Sequence, residues 1–206
     1  MMKRVSFFFL LFLLLFLGAC SKKSETEEQI PPSSTAPAID LPVKTAAPYV
    51  NMAPKMPIDP LPAHFLLTNA EGEELNVTLD HDKVTLSAIH KPLVMINLFA
   101  TWCPPCRAEI PYLTQLQKKH KKELAIIGVL VNDEQNDTQL HTFLKKNKIN
   151  YFIANAQGND TLTKQIAKRL GLLENFPNPL SVLYKDGKLY RYYEGAMPIE
   201  MMENEI

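Results

Sequence analysis

Three cysteines in 206 residues are too few for a disulfide-stapled scaffold. A closed zinc site is also poorly supplied. Its four ligands usually arrive as two pairs, and His64, His81, His90, His120 and His141 include no pair at the usual ligand spacing. No charge sign dominates, since 22 basic and 22 acidic residues cancel, which leaves no electrostatic footprint for nucleic acid. Nor is there an apolar run of the ~20 residues needed to cross a bilayer. The longest, Phe7 to Leu17, has eleven. What is present is ordinary, 46% hydrophobic and 21% charged residues, enough for one globular domain with additional segments.

Two of the cysteines stand in Trp102-Cys103-Pro104-Pro105-Cys106, after a compact apolar run from Leu93 to Phe99 and before a helical run from Arg107 to Lys122. A thiol pair two residues apart, where a strand gives way to a helix, is placed for disulfide exchange, whose attacking species is the thiolate. A helix N-terminus has unsatisfied N–H groups and partial positive charge, so it stabilises an anion there and lowers a cysteine pKa. This assigns attack to Cys103, at the helix start, and resolution of the mixed disulfide to Cys106, one turn inside. The first helical turn tolerates Pro104 and Pro105. The spacing alone also suits half a zinc site, a haem attachment or an inert pair, although haem attachment needs His where Arg107 stands.

From His64 onward the pattern is that of alternating strands and helices. Leu75, Val77 and Leu79 alternate with polar residues after a turn at Asn69 to Gly72, predicting an N-terminal hairpin, with a short strand near Val84 to Leu86. Leu93 to Phe99 and Glu123 to Val131 read as buried strands. Between them the helical run carries Pro111, expected to kink it. A helix over Asp137 to Lys146, a strand at Tyr151 to Ala154 and a helix capped by Asp160 and ended by Gly171 follow. Lys185-Asp186-Gly187 joins a closing hairpin, and Met197 begins a last helix with Pro198 in its first turn. Tyr184, Tyr190, Tyr192 and Tyr193 read as strand-face packing. The sum is an α/β three-layer sheet.

Asn97 to Pro111, Asn-Leu-Phe-Ala-Thr-Trp-Cys-Pro-Pro-Cys-Arg-Ala-Glu-Ile-Pro, resembles the active-site segment of the TlpA/ResA type of bacterial envelope thioredoxin-like proteins, with Phe99 where the family has Trp. The resemblance runs from about Phe65 to the C-terminus. It implies a thioredoxin fold with an N-terminal β-hairpin and an inserted central αβ element. It places a cis-proline facing the disulfide at Pro179, eight residues before Gly187, and makes Asn178 the residue whose backbone meets the substrate chain; Pro177 fits that spacing less well. Trp102, beside thiols expected to be exposed, joins Pro104 and Pro105 on the docking surface. Glu109 is expected near the thiols as their proton-transfer partner, because Asn97 stands where cytoplasmic thioredoxins carry a buried acid and an amide cannot shuttle a proton. The implied function is thiol–disulfide oxidoreduction on proteins, with reduction, including that of apocytochrome c, as the commonest role. Electrons would come from a membrane electron-donor protein, with no cofactor and no metal. The same cysteines serve an oxidase or isomerase. A peroxidase lacks its proline before Cys103, and a non-catalytic binding module is the remaining alternative.

Lys3 and Arg4 before the short apolar run read as an export signal over residues 1–19. Leu17-Gly18-Ala19-Cys20 resembles a bacterial lipobox, which would cut before Cys20 and lipidate its sulfur; a plain signal peptide cut after Ala19 would leave a free thiol. The expected location is the bacterial envelope, with the domain facing the periplasm. Ser21 in place of Asp favours the outer membrane under the enterobacterial sorting rule. Residues 20–62, holding nine of the sixteen prolines, read as a tether, about 35–40 Å across as a coil. The stretch from Met52 to Pro62 reads equally well as packed on the domain, which occupies residues 63–206.

Overall fold

A computed structural model describes residues 50–52, 61–155 and 158–206. The expected signal segment, Cys20 and most of the tether lie outside the described residues. The strands in chain order are β1 (Val50–Met52), β2 (Ala63–Thr68), β3 (Glu74–Asp80), β4 (Lys83–Leu86), β5 (Leu93–Phe99), β6 (Leu124–Leu130), β7 (Phe152–Ala154), β8 (Leu180–Lys185) and β9 (Lys188–Glu194). They form one sheet in the order β2-β3-β4-β9-β8-β5-β6-β7, with β1 paired to β9 through Val50↔Tyr193 and Met52↔Arg191. The helices are α1 (Pro104–Lys119), α2 (Asp137–Asn147), α3 (Asn159–Arg169) and α4 (Ile199–Asn204).

The centre is β5, buried at every position and paired in parallel with β6 from Leu93↔Leu124 to Phe99↔Leu130. Successive side chains point to opposite faces, so this one strand feeds two cores. Val94, Ile96 and Leu98 pack with Leu162, Ile166 and Leu170 of α3 and its C-cap, and with the inward residues of β3 and β4. Leu93 and Met95 pack with Leu113 and Leu116 of α1 and with Met202 of α4. Phe99 packs with Leu140 of α2, Ile110 of α1 and both active-site cysteines. α2 and β7 are the central insertion between β6 and α3.

The closing hairpin turns at Asp186 and Gly187, both with positive φ (51° and 75°). That is the two-residue geometry whose twist suits flanking strands, and it calls for residues that tolerate left-handed backbone.

Several strand and helix ends differ from the sequence reading by a residue, and the larger differences lie in the helices. α1 starts at Pro104, with Cys103 as its N-cap and the two prolines in its first turn as expected, and ends at Lys119 rather than Lys122. Its end is set at His120, whose N–H reaches the Leu116 carbonyl. It runs through Pro111 as one helix. The N-cap of α3 is Gly158, with φ 82° and no side-chain cap bond. Asp160 therefore lies inside the first turn, where its charge still complements the helix dipole. α4 is six residues, starting after Pro198.

Candidate active site

Cys103 is the N-cap of α1, in extended conformation, and is disulfide-bonded to Cys106. Its Sγ accepts a hydrogen bond from the Cys106 N–H at 3.4 Å. Pro104 and Pro105 carry no N–H, so Cys106 supplies the first amide of the helix able to reach the sulfur. On its other side Sγ lies 3.7 Å from the carbonyl oxygen of Asn178, and the Asn178–Pro179 peptide bond is cis. The two segments are 75 residues apart in the chain and meet because β5 and β8 are antiparallel neighbours.

Both cysteines are buried, Cys103 to 4% exposure and Cys106 to 1%, rather than exposed as the sequence suggested. Phe99, Ala100, Ile110, Leu130, Leu140 and Ile153 enclose them. Trp102 is 60% exposed beside them. Its indole Nε1 donates to the Asn132 carbonyl at 2.9 Å. A cavity of about 230 Å³ opens next to Asn178, with Asn132, Thr163 and Phe176 in its wall.

Glu109 follows Cys106 by three residues on the stripe of α1 that also holds Ile110, Leu113 and Leu116, so its carboxyl enters the core at 2% exposure. Oε1 accepts the Met197 N–H at 3.3 Å, and Oε2 has no hydrogen-bond partner among the described residues. Loss of hydration raises its pKa from 4.5 to about 7, against the smaller lowering pulls of Met197 N–H and the Asn97 amide. Asn97 in turn donates to Ser181 Oγ at 2.9 Å, which fixes its orientation across β5 and β8. Tyr151 is pushed well above the usual phenol range, first by burial and then by the Glu109 charge.

Sequence reasoning did not anticipate the support beneath the cysteine loop. Asp133, buried just after β6, accepts the Thr101 N–H at 2.5 Å. Asn132, in left-handed conformation at φ 49°, offers the carbonyl that holds Trp102. The only local signal was a polar pair directly after a buried strand.

A cysteine pair at a helix start, buried in an α/β sheet and faced by a cis-proline loop, defines a thiol–disulfide oxidoreductase of thioredoxin fold. A family model described as Redoxin matches residues 43–206, and the chain belongs to that family. The thiol-disulfide oxidoreductase ResA of Bacillus cereus is 30% identical over 156 residues, 75% of this chain and 80% of the relative. Among solved structures, a thiol:disulfide interchange protein of the thioredoxin family from Chlorobium tepidum superposes with a TM-score of 0.55 at 24% identity, covering 72% of this chain and 94% of its own. StoA from Bacillus subtilis does so at 0.50 and 23%, covering 70% and 97%. Those two establish the fold, and the ResA relative carries the activity, with disulfide-containing proteins as substrates. No helix among the described residues is long and apolar enough to cross a membrane.

Proposed function

We propose that the chain is a lipid-anchored reductant of protein disulfides in the bacterial envelope, held through Cys20, with apocytochrome c among its substrates and a membrane protein as electron donor. The observation that carries the chemistry is the position of Cys103 Sγ, between the first free amide of α1 and the Asn178 carbonyl. In the reduced state the amide and the helix dipole favour the Cys103 thiolate. That thiolate attacks one sulfur of the substrate disulfide, and the other substrate sulfur leaves as a thiolate. Cys106 then gives up its proton and attacks Cys103 Sγ, forming the intramolecular disulfide and breaking the mixed one, so that the substrate sulfur held on Cys103 leaves as the second thiolate. The substrate gains two electrons and this chain loses two.

Glu109 is the proton acceptor for Cys106 in this scheme. It is one helical turn away on the same buried stripe, and a pKa of about 7 lets it take up and return a proton near neutrality. The substrate backbone pairs with the edge at Asn178 and Pro179, where proline offers no competing N–H. Trp102, Pro104 and Pro105 form the rim against which the substrate rests.

A Cys106→Ala variant of the full chain, expressed in the envelope, should accumulate covalent adducts that a reducing agent releases. Identifying the adducts names the substrate. Absence of adducts, together with no exchange by the wild type with any disulfide, would sink the proposal. A reduction potential near about −250 mV or lower fits a reductant, whereas one near about −120 mV belongs to a strong oxidant and would reverse the direction.

A further inference from the structure

The disulfide lies at one end of the sheet, and the opposite end is basic. β5 runs from Leu93 at that far end to Phe99 beside the active site, roughly 20 Å at the rise of a strand. Leu93 is paired with Leu124 of β6 and Lys185 of β8, and Lys83 of β4 with Lys188 of β9. Backbone bonds knit the turns together: Leu93 N–H to the Glu123 carbonyl at 3.0 Å, Asp186 N–H to Pro92 at 2.7 Å and Leu189 N–H to Asp82 at 2.6 Å. This brings Lys83, Lys91, Lys121, Lys122, Lys185 and Lys188 onto one surface, and the last turn of α1 adds Lys118 and Lys119.

Against these eight lysines stand five carboxylates, Asp80, Asp82, Glu123, Asp186 and Glu203, a formal charge of +3. Residues 61–206 hold sixteen basic and seventeen acidic residues in all. The remainder, with eight basic and twelve acidic, therefore carries −4. A helix C-terminus attracts cations for its own sake, which accounts for Lys118 and Lys119, the latter tied to Glu203 at 2.6 Å. It bears less on Lys121 and Lys122, just past the C-cap His120, and does not account for Lys83, Lys91, Lys185 and Lys188 at the strand ends. Of these, Lys83, Lys121, Lys122 and Lys188 are exposed and have no ion pair among the described residues.

We propose that this pole docks on an anionic lipid surface and so points the disulfide away from the membrane, toward its substrates. The proposal rests on the envelope location put forward above. The cations are all lysine, whereas protein interfaces favour arginine and aromatic anchors in pockets. The exposed aromatic beside them, Tyr190, is covered by Lys185 at 5.7 Å and by Arg191 at 5.0 Å from its ring centre, so it offers no open apolar pocket. Lysines spread over a surface of that kind suit headgroups, each gaining a modest attraction that decays within a Debye length. A tether keeps the domain close enough for such weak attraction to matter.

The test is lysine acetylation of the full chain on vesicles. Lys164, in the cavity wall beside Asn178, serves as reference at the disulfide end. On vesicles with roughly a third phosphatidylglycerol, Lys83, Lys121, Lys122 and Lys188 should react about threefold more slowly relative to Lys164 than on pure phosphatidylcholine. About 0.5 M salt should abolish the difference. The triple variant Lys121→Glu, Lys122→Glu, Lys188→Glu should lose the protection of Lys83 while exchanging with glutathione disulfide as the wild type does; the corresponding Gln set covers the case in which charge reversal impairs folding. Equal slowing of Lys164, no slowing, or protection by soluble polyglutamate but not by lipid would each overturn the proposal. A chain that fails to sediment with phosphatidylcholine vesicles refutes the lipid anchor alone, because docking is still read on the anionic vesicles. Loss of exchange with glutathione disulfide in the wild type refutes the catalytic reading alone.

Discussion

Replacing Glu109 by Gln tests the electrostatics of the site through stability. The carboxyl is raised from 4.5 to about 7 in the folded protein, chiefly by loss of hydration. At about 1.36 kcal/mol per pKa unit, that shift corresponds to about 3 kcal/mol. The sign follows from proton counting. Between these two values the folded chain holds a proton that the unfolded chain has lost, so unfolding releases a proton and stability declines as pH rises. Below about pH 4.5 both states are protonated and the residue contributes no pH dependence; above about pH 7 the whole penalty of a buried charge is present. Glutamine keeps an oxygen for the Met197 N–H, 3.3 Å from the present Oε1, and has no proton to lose. Urea unfolding of oxidised wild type and E109Q at pH values from about 4 to 8 should therefore show the variant gaining about 3 kcal/mol relative to wild type across the range. Taking the difference between the two proteins cancels every other titrating group they share. Parallel stability curves would refute the reasoning, since they would mean that Glu109 ionises folded as easily as unfolded.

Two further substitutions probe the packing and the helix start. Gly128 lies under Ile153 and the Phe99 ring, so a Cβ there would overlap Ile153 Cδ1 and approach Phe99 Cε1 to 3.0 Å; Gly128→Ala should cost about 1–3 kcal/mol, read as a lowered Tm. Pro105→Ala restores an amide in the first turn of α1 beside Cys103 Sγ, and should lower the Cys103 pKa by about half a unit, followed by the ultraviolet absorbance of the thiolate. An unchanged titration would mean that Cys106 N–H alone sets the anion's environment.

Much of this protein was legible in the chain because the signals are local. The apolar run from Leu93 to Phe99 became β5 at those boundaries. The alternation at Leu75, Val77 and Leu79 became the inward face of β3, and Asp186-Gly187 became the hairpin turn. Each needs only a period of two or a tolerance for positive φ, which a few neighbouring residues encode. The helix ends were less legible. The apolar positions of α1 stop at Leu116, and the lysines that follow suit a helix end without marking where it falls; the chain leaves the helix at His120.

The cysteine pair and its place at a strand-to-helix junction belong to the sequence itself, since an N-cap side chain meets the third residue of its helix wherever that helix begins. Their surroundings are decided only by tertiary structure. The Met197 amide reaches Glu109 across 88 residues, and Ser181 fixes Asn97 across 84. Asp133 holds Thr101 across 32. A carboxyl at the third position after Cys106 is a surface helix residue in isolation. Only when the sheet brings Asn97 and the segment before α4 over that face of α1 does it lose water and acquire a pKa near neutrality. The basic pole arises likewise, from lysines in separate turns that β-sheet register gathers at one end. Local spacing determines which groups the chain carries. Long-range packing strips or keeps the water around them, and for a buried carboxyl such as Glu109 that loss of water outweighs its hydrogen bonds.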